Sequence, residues 1–299
     1  MRAPAASLAA LLLASPVAGA EFRFLDKDGV VGRLRTLVTH SEDTLLDIAR
    51  KHDLGYSEIA AANPDVDPWV PGEGTQIVLP TEFVLPPGPR SGLVVNLAQL
   101  RLFYFPPRTP GEPPRVITHP IGIGVDVAPT PVAATRVVRK AVDPTWYPPE
   151  SIRKRRAEEG EILPDAVAPG PDNPLGRYAL YLGLSGYLIH GTDRPWGIGM
   201  RVSSGCIRLY PEDIERLYQR VPIGTPVRIV REPYVVGLRR GVPVLQAFRP
   251  LEDGANEESY TPLMQALIAR FPRGTVDPAK ALQVAKEKRG VPTPIGPAR

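Results

Sequence analysis

The chain has 299 residues, 43% hydrophobic and 23% charged, enough to bury an ordinary core in about two domains of roughly 150 residues each. Its 37 prolines and 27 glycines point to many short strands and turns, which excludes a coiled coil and a polytopic membrane protein. The net charge of +4 comes from interleaved basic and acidic residues; it is too small to argue for nucleic acid and suits a weakly anionic polymer. At the start, Arg2, an apolar run at 8–13 and the small-x-small site Ala18-Gly19-Ala20 before Glu21 read as a secretory signal over residues 1–20. The run falls short of the ~20 residues a spanning helix needs, and no cysteine follows it to take a lipid. An uncleaved amphipathic anchor is the alternative.

Next comes a small module. Residues 36–39 read as a strand, Asp43 as the cap of a short helix with Leu45, Ile48 and Ala49, Ser57 as the start of a second helix, and 76–79 as a returning strand. Asp43-Thr44-Leu45, Ile48-Ala49, Asn63-Pro64 and Ile77-Val78-Leu79-Pro80 resemble a LysM domain, which implies a βααβ unit over 35–80 that binds glycan strands. A packing module that binds nothing is the alternative. Pro80, Pro86, Pro87 and Pro89 make 81–92 a stiff linker.

Residues 93–231 read as a mainly β domain. A hairpin over 93–105 alternates apolar and polar residues and turns at Ala98-Gln99; another over 178–189 turns at Ser185-Gly186; a strand occupies 225–230. The only cysteine, Cys206, stands in a chain read as exported, so it is either buried or kept for its chemistry. The flexible Ser203-Ser204-Gly205 before it lets backbone N–H groups of Ser204, Gly205 and Cys206 converge as in an oxyanion site, and Pro211 with Glu212 and Asp213 opens a helix behind it. A base must come from His40, His52, His119 or His190. His190 ends a strand sixteen residues before Cys206 and is the candidate; a hydrogen-bonded structural histidine is the alternative. His119 is read as a surface strand residue, or else a second group near the site. Arg208 is a fork for a carboxylate or a partner of Asp213. Trp146, Tyr147 and Trp196 line a groove or serve as packing posts, and Arg153-Lys154-Arg155-Arg156, balanced by Glu158, Glu159 and Glu161, reads as a solvated helix face. No metal or cofactor is expected, because the histidines and acids lack ligand spacing.

His190-Gly191-Thr192, Gly197-Ile198-Gly199 and Ser203-x-Gly205-Cys206-Ile207-Arg208-Leu209 resemble the signature of the L,D-transpeptidases with a YkuD-type catalytic domain, the ErfK/YbiS group. Pro120-Ile121-Gly122-Ile123-Gly124, Thr130-Pro131 and Gly170-Pro171-Asp172-Asn173-Pro174-Leu175-Gly176 extend the likeness over residues 91–231. The resemblance implies a YkuD-like β-sandwich or mixed sheets with a helix after the nucleophile. It also implies a periplasmic enzyme that acts on peptidoglycan stem peptides. Cys206 would attack the diamino acid carbonyl of a tetrapeptide stem, with His190 as base and acid and the Gly191 carbonyl orienting its ring. Release of D-Ala would leave a thioester, to be resolved by an amine of another stem or of an outer-membrane lipoprotein. Thr192, Ser203, Arg208, Trp146 and Trp196 are the expected substrate contacts. Two departures stand out: Ser204 occupies the place of the family's common histidine, and Ala133-Ala134 follow Thr130-Pro131 where a Thr-Pro-x-Gly turn is usual. A thiol hydrolase and a wall-binding protein with an idle catalytic domain are the rival readings.

Residues 232–299 read as a carboxy-terminal subdomain, an irregular stretch followed by helices over 262–270 and 278–288, the second capped by Asp277. It is expected either to pack near the active-site face and restrict access or to act as scaffolding.

Overall fold

The computed structural model describes residues 20–249, 251 and 259–297. Residues 1–19 of the expected leader lie outside the described residues. Among those described, no helix is long and apolar enough to cross a membrane.

The amino-terminal part comprises β1 (Ala20–Arg23), β2 (Val30–Gly32), β3 (Arg35–Val38), α1 (Leu45–Lys51), α2 (Tyr56–Ala62), β4 (Gln76–Leu79) and β5 (Glu82–Val84). β3 and β4 pair antiparallel, giving the strand-helix-helix-strand order. Thr44, not Asp43, caps α1: its Oγ1 accepts the Asp47 N–H at 3.1 Å, while Asp43 accepts the His40 N–H. α2 begins at Tyr56 rather than Ser57, where Glu58 reaches back to accept the Gly55 N–H at 2.7 Å. Buried Asn63 ties α2 to β4, donating to the carbonyls of Ile59 and Val78 and accepting the Val78 N–H. Residues 81–92 are not a free linker: they supply β5, which pairs with β2, and residues 82–85 are buried.

The central part comprises β6 (Gly92–Asn96), β7 (Arg101–Phe105), β8 (Arg115–Pro120), β9 (Ile123–Gly124), β10 (Ala133–Val142), α3 (Glu150–Glu158), β11 (Tyr178–Leu182), β12 (Leu188–His190), β13 (Arg201–Ser203), β14 (Ile207–Arg208), α4 (Pro211–Arg220) and β15 (Pro226–Val230). A nine-stranded sheet runs in the order β1-β8-β7-β6-β15-β10-β11-β12-β14, and β9 pairs with β13 separately. The pairs β6/β15, β12/β14 and β9/β13 are parallel and the others antiparallel, so the sheets are mixed. One face buries Leu93, Val95, Leu102, Leu180, Ile189 and Ile207 with Ile214 and Leu217 of α4. That helix starts where expected because Pro211 fits its first turn and Glu212 and Asp213 complement its dipole.

The hairpin over 93–105 departs from its expected alternation, being buried on both faces. Val94, Phe103 and Phe105 pack outward into one cluster with Leu45, Ile48, Ile59, Ile77 and Leu79, so module and sheet share a core. Arg101, with no exposed surface, crosses this seam. Its Nε donates to Glu58 Oε1 at 2.7 Å and its Nη2 to Glu58 Oε2 at 2.8 Å and to the Asp53 carbonyl at 2.7 Å. The guanidinium also lies 4.0 Å from the Phe83 ring centroid.

The carboxy-terminal part comprises β16 (Tyr234–Arg239), β17 (Val242–Ala247), α5 (Thr261–Arg270), α6 (Pro278–Glu287) and β18 (Thr293–Pro294). The stretch expected to be irregular is a hairpin: Arg240 and Gly241 both take positive φ, 50° and 82°, a two-residue turn that matches strand twist. Its contacts run away from the expected active-site face. The Val84 N–H donates to Gln246 Oε1 at 2.8 Å, the Leu238 N–H to the Asp28 carbonyl at 2.6 Å, and Arg239 pairs with Glu82.

Burial raises the Glu58 pKa against the opposing pull of Arg101, so this carboxylate depends on its partner. Arg101→Met is expected to lower stability by about 3–5 kcal/mol in urea unfolding followed by circular dichroism. Adding Glu58→Leu should recover most of that loss; a single variant as stable as the parent contradicts the docking role.

Candidate active site

Cys206 occupies the one-residue gap between Gly205 and β14. β14 runs parallel to β12 with His190 opposite Arg208 and Ile189 opposite Ile207. Side chains alternate along strands, so Cys206 and Arg208 share a face with Leu188 and His190. The register therefore brings thiol, imidazole and guanidinium to one side of the sheet edge.

The turn before the thiol is held by its neighbours. Gly205 has φ 102°, and a Cβ there would stand 2.9 Å from the Tyr187 ring. Ser203 Oγ donates to the Cys206 carbonyl at 2.5 Å. Thr130, 2% exposed, donates from Oγ1 to the Gly205 carbonyl at 2.8 Å and accepts the Gly124 N–H at 3.0 Å, tying β9 to the turn. Among the described residues, the N–H groups of Ser204, Gly205 and Cys206 reach no protein acceptor. They form a short row of unspent donors.

His190 is 2% exposed, and its Nδ1–H donates to the Gly191 carbonyl at 2.7 Å, which leaves Nε2 as the basic nitrogen. Burial, then the charge of Arg208, pushes its pKa down to about 3 against the carbonyls of Gly191 and Leu175. Burial likewise raises the Cys206 thiol, opposed by the Leu188 backbone amide and by Arg208. The resting pair is thus neutral. Half-buried, the thiol donates to the Gly186 carbonyl at 3.6 Å, and no hydrogen bond joins it to His190 in this conformation. Apo geometries of this kind tighten when substrate arrives.

Other expectations fare differently. Arg208 does not pair with Asp213; burial lowers its pKa against the pull of Asp193, and its backbone exchanges both hydrogen bonds with Gly122. Ser203 and Thr192 are not free for substrate. Both are buried, and Thr192 Oγ1 accepts the Arg194 N–H at 2.9 Å. Trp196 is 59% exposed on a 3-10 turn, while Trp146 is half-buried and bridged through its backbone to Val167. His119 is neither on the surface nor at the site. It is 1% exposed between Asp213 and Asp53; burial pulls its pKa down, but the two carboxylates outweigh that and carry it up to about 9.

The basic run on α3 is not merely a solvated face. Although that helix buries no residue, Arg155 Nη2 donates to Ser204 Oγ at 2.5 Å, two residues before Cys206. Buried Asn173 anchors the segment carrying α3, donating to the carbonyls of Pro144, Val167 and Ala168 and accepting the Leu175 N–H. Thr130, Asn173 and Arg155 are the site's supporting residues that sequence reasoning missed. The first two stood inside family-like motifs, whereas Arg155 gave no local signal.

With this geometry in place, known proteins can be set beside it. Residues 90–229 match the L,D-transpeptidase catalytic domain of the YkuD type. The chain is 40% identical over 228 residues to the probable L,D-transpeptidase YcfS of Escherichia coli, covering 74% of this chain and 70% of that protein. Against the probable L,D-transpeptidase ErfK/SrfK of the same organism, identity is 38% over 267 residues, 87% of this chain and 84% of that one. The probable L,D-transpeptidase YbiS shares 44% over 186 residues, 62% and 59% of the two chains. The chain therefore belongs to the L,D-transpeptidase family, enzymes that act on peptidoglycan.

The electrostatics fix a pH profile. Alkylation of Cys206 by iodoacetamide should accelerate with pH through a midpoint above the usual thiol range of about 8.5, with no reactive plateau at pH 5–7. Arg208→Gln removes a charge that favours the thiolate and should move that midpoint higher still. Reactivity flat down to pH 5 would show a preformed ion pair instead. Gly205→Val should abolish turnover while the circular dichroism spectrum is retained.

Proposed function

We propose that the row of unspent N–H donors beside a solvent-reachable thiol, with His190 on the adjoining parallel strand, performs L,D-transpeptidation in the periplasm with Cys206 as nucleophile. Rotation of the Cys206 side chain from the Gly186 carbonyl toward Nε2 of His190 lets the imidazole take the thiol proton as sulfur attacks the diamino acid carbonyl of a tetrapeptide stem. The new S–C bond leaves a tetrahedral oxyanion facing the N–H groups of Ser204, Gly205 and Cys206; one such donor is typically worth about 3–4 kcal/mol. The C–N bond to D-Ala then breaks, the imidazolium returns its proton to the departing amine, and a thioester remains. An acceptor amine reverses these steps, giving up a proton to His190 and regenerating the thiol. The acceptor is the side-chain amine of a second stem, which makes a 3→3 crosslink, or an amine of an outer-membrane lipoprotein, which anchors it.

Two neighbours supply recognition in this reading. Arg155 brings a cation to Ser204, where the family's common motif places a histidine, and such a guanidinium suits a stem carboxylate. The βααβ module binds glycan beside the catalytic face and raises the local concentration of stems.

Purified protein incubated with stem tetrapeptide and an acceptor amine should release D-Ala and form the crosslinked product, read by mass spectrometry. Free tripeptide as the sole product in excess acceptor would instead make it a hydrolase. Cys206→Ser and His190→Ala should each abolish turnover with the fold retained; full activity in either variant overturns these roles. Arg155→Ala should raise KM for the tetrapeptide about tenfold, with kcat changed much less, consistent with loss of one charge-assisted hydrogen bond.

A further inference from the structure

A second constellation of reactive side chains lies at the seam between the amino-terminal module and the catalytic sheet, outside the proposed chemistry. Asp53 follows α1, His119 stands on β8 and Asp213 sits in the first turn of α4. They are 6%, 1% and 3% exposed. One ligand atom from each lies within 4.8 Å of the other two, with His119 Nδ1 3.1 Å from Asp213 Oδ1 and 3.8 Å from Asp53 Oδ1. Their separation along the chain explains why no ligand spacing shows in the sequence.

The hydrogen-bonding of this group is incomplete. Asp53 Oδ2 accepts the Ala20 N–H at 3.1 Å, but Asp53 Oδ1 and His119 Nδ1, both buried, make no hydrogen bond. Neighbouring cations act on the group by charge without donating a hydrogen bond to its carboxylates. Arg101 is committed to Glu58 and meets Asp53 only at its backbone carbonyl, while Arg216 comes no closer than 4.0 Å to Asp213 Oδ1. The cluster thus holds two carboxylates and an imidazole out of water, and their charge is offset by a proton on His119 or by a bound cation in its place. A cavity of about 620 Å³ reaches Asp53 and Asp213; its wall holds Glu42, Asp43, Asp47 and Glu212 against Arg50, Lys51 and Arg216.

We propose that Asp53, His119 and Asp213 bind one divalent cation of borderline softness, with zinc the best match, and that this ion staples the module to the catalytic domain. Imidazole with two carboxylates is a zinc-type donor set, and bonds of about 2.0–2.1 Å in a tetrahedron place ligand atoms about 3.4 Å apart. The observed 3.1 and 3.8 Å bracket that spacing. Water from the cavity that Asp53 and Asp213 line would complete the coordination. Because the ligands come from α1's trailing turn, β8 and α4, the ion holds together elements that otherwise meet through Arg101 and the shared core.

The test uses the full chain with Cys206→Ser, so that no thiol competes for metal. Dialysis against micromolar zinc followed by elemental mass spectrometry should find about one zinc per chain, and zinc should raise Tm by several degrees. His119→Gln and Asp213→Asn should each lose the zinc and its Tm shift, whereas Asp47→Asn on the cavity wall should keep both. Nitrogen NMR of the histidine rings in the Cys206→Ser chain provides a readout that does not depend on folding of the variants: zinc should shift His119 Nδ1 into the range of a metal-bound nitrogen. A chain that binds no zinc, zinc retained by both ligand variants, or an imidazolium at His119 unchanged by zinc would each overturn the site.

Discussion

The parallel pairing of β12 with β14 decides where every reactive group stands. That ladder is only two residue pairs long, yet it sets His190 beside Arg208 and, through the strand period, Cys206 on the same face. A shift by one residue would turn the thiol and the guanidinium together toward the core, away from His190. The surroundings accordingly over-determine the register. The backbone of Arg208 is bonded both ways to Gly122, the Leu209 N–H donates to the His190 carbonyl, and Thr130 and Ser203 clamp the carbonyls of Gly205 and Cys206. Glycines recur here for a steric reason. A Cβ at Gly124 would meet the Gly205 Cα at 2.9 Å, and one at Gly176 the Thr192 N at 2.9 Å, so the strands and turns around the site approach more closely than side chains permit.

Arg208 has opposite effects on His190 and Cys206, the two groups that exchange a proton in the proposed mechanism. Its charge favours the thiolate and disfavours the imidazolium, while burial disfavours both ions. A resting ion pair is therefore suppressed, and in the proposed mechanism the proton crosses as the developing oxyanion gives the row of backbone donors something to bind. This arrangement protects an accessible thiol, because oxidation and mixed-disulfide formation both proceed through the thiolate.

What the sequence made legible was local. Turn residues marked the hairpins at 98–99 and 185–186, and Pro211 with its acidic followers marked α4, since each signal lies within a few residues of the element it defines. The cysteine, its histidine and the glycine-rich motifs were readable for the same reason. What escaped depended on distant partners. Val94, Phe103 and Phe105 look like a strand's excess apolar residues until the amino-terminal module covers them. Arg155 resembles its charged neighbours until α3 lies over Ser204. His119 and Asp213 belong to no common pattern, and only the packing of α4 on the sheet reveals that they meet. The missed hairpin at Tyr234–Ala247 is a different case, because Arg240-Gly241 between two valine-rich runs was a local turn signal left unread.

The amino-terminal module is coupled to the active site through backbone as well as charge. The Tyr56 and Ser57 N–H groups at the start of α2 donate to the carbonyls of Ile198 and Gly199, in the loop that joins His190 to the nucleophile turn. Gly199, at φ 85°, lies so close to Gly55 that a Cβ on it would stand 2.5 Å from the Gly55 Cα. A family glycine in the catalytic loop thus serves as the landing point for the module, within a few residues of Glu58, which holds Arg101. The loop between His190 and Cys206 is consequently fixed by contacts made outside the catalytic domain. In the proposed function, a module held by these contacts would not search for glycan on a tether as a linked domain would; glycan bound to it would be presented to the cysteine in one orientation, so its geometry would take part in selecting a stem.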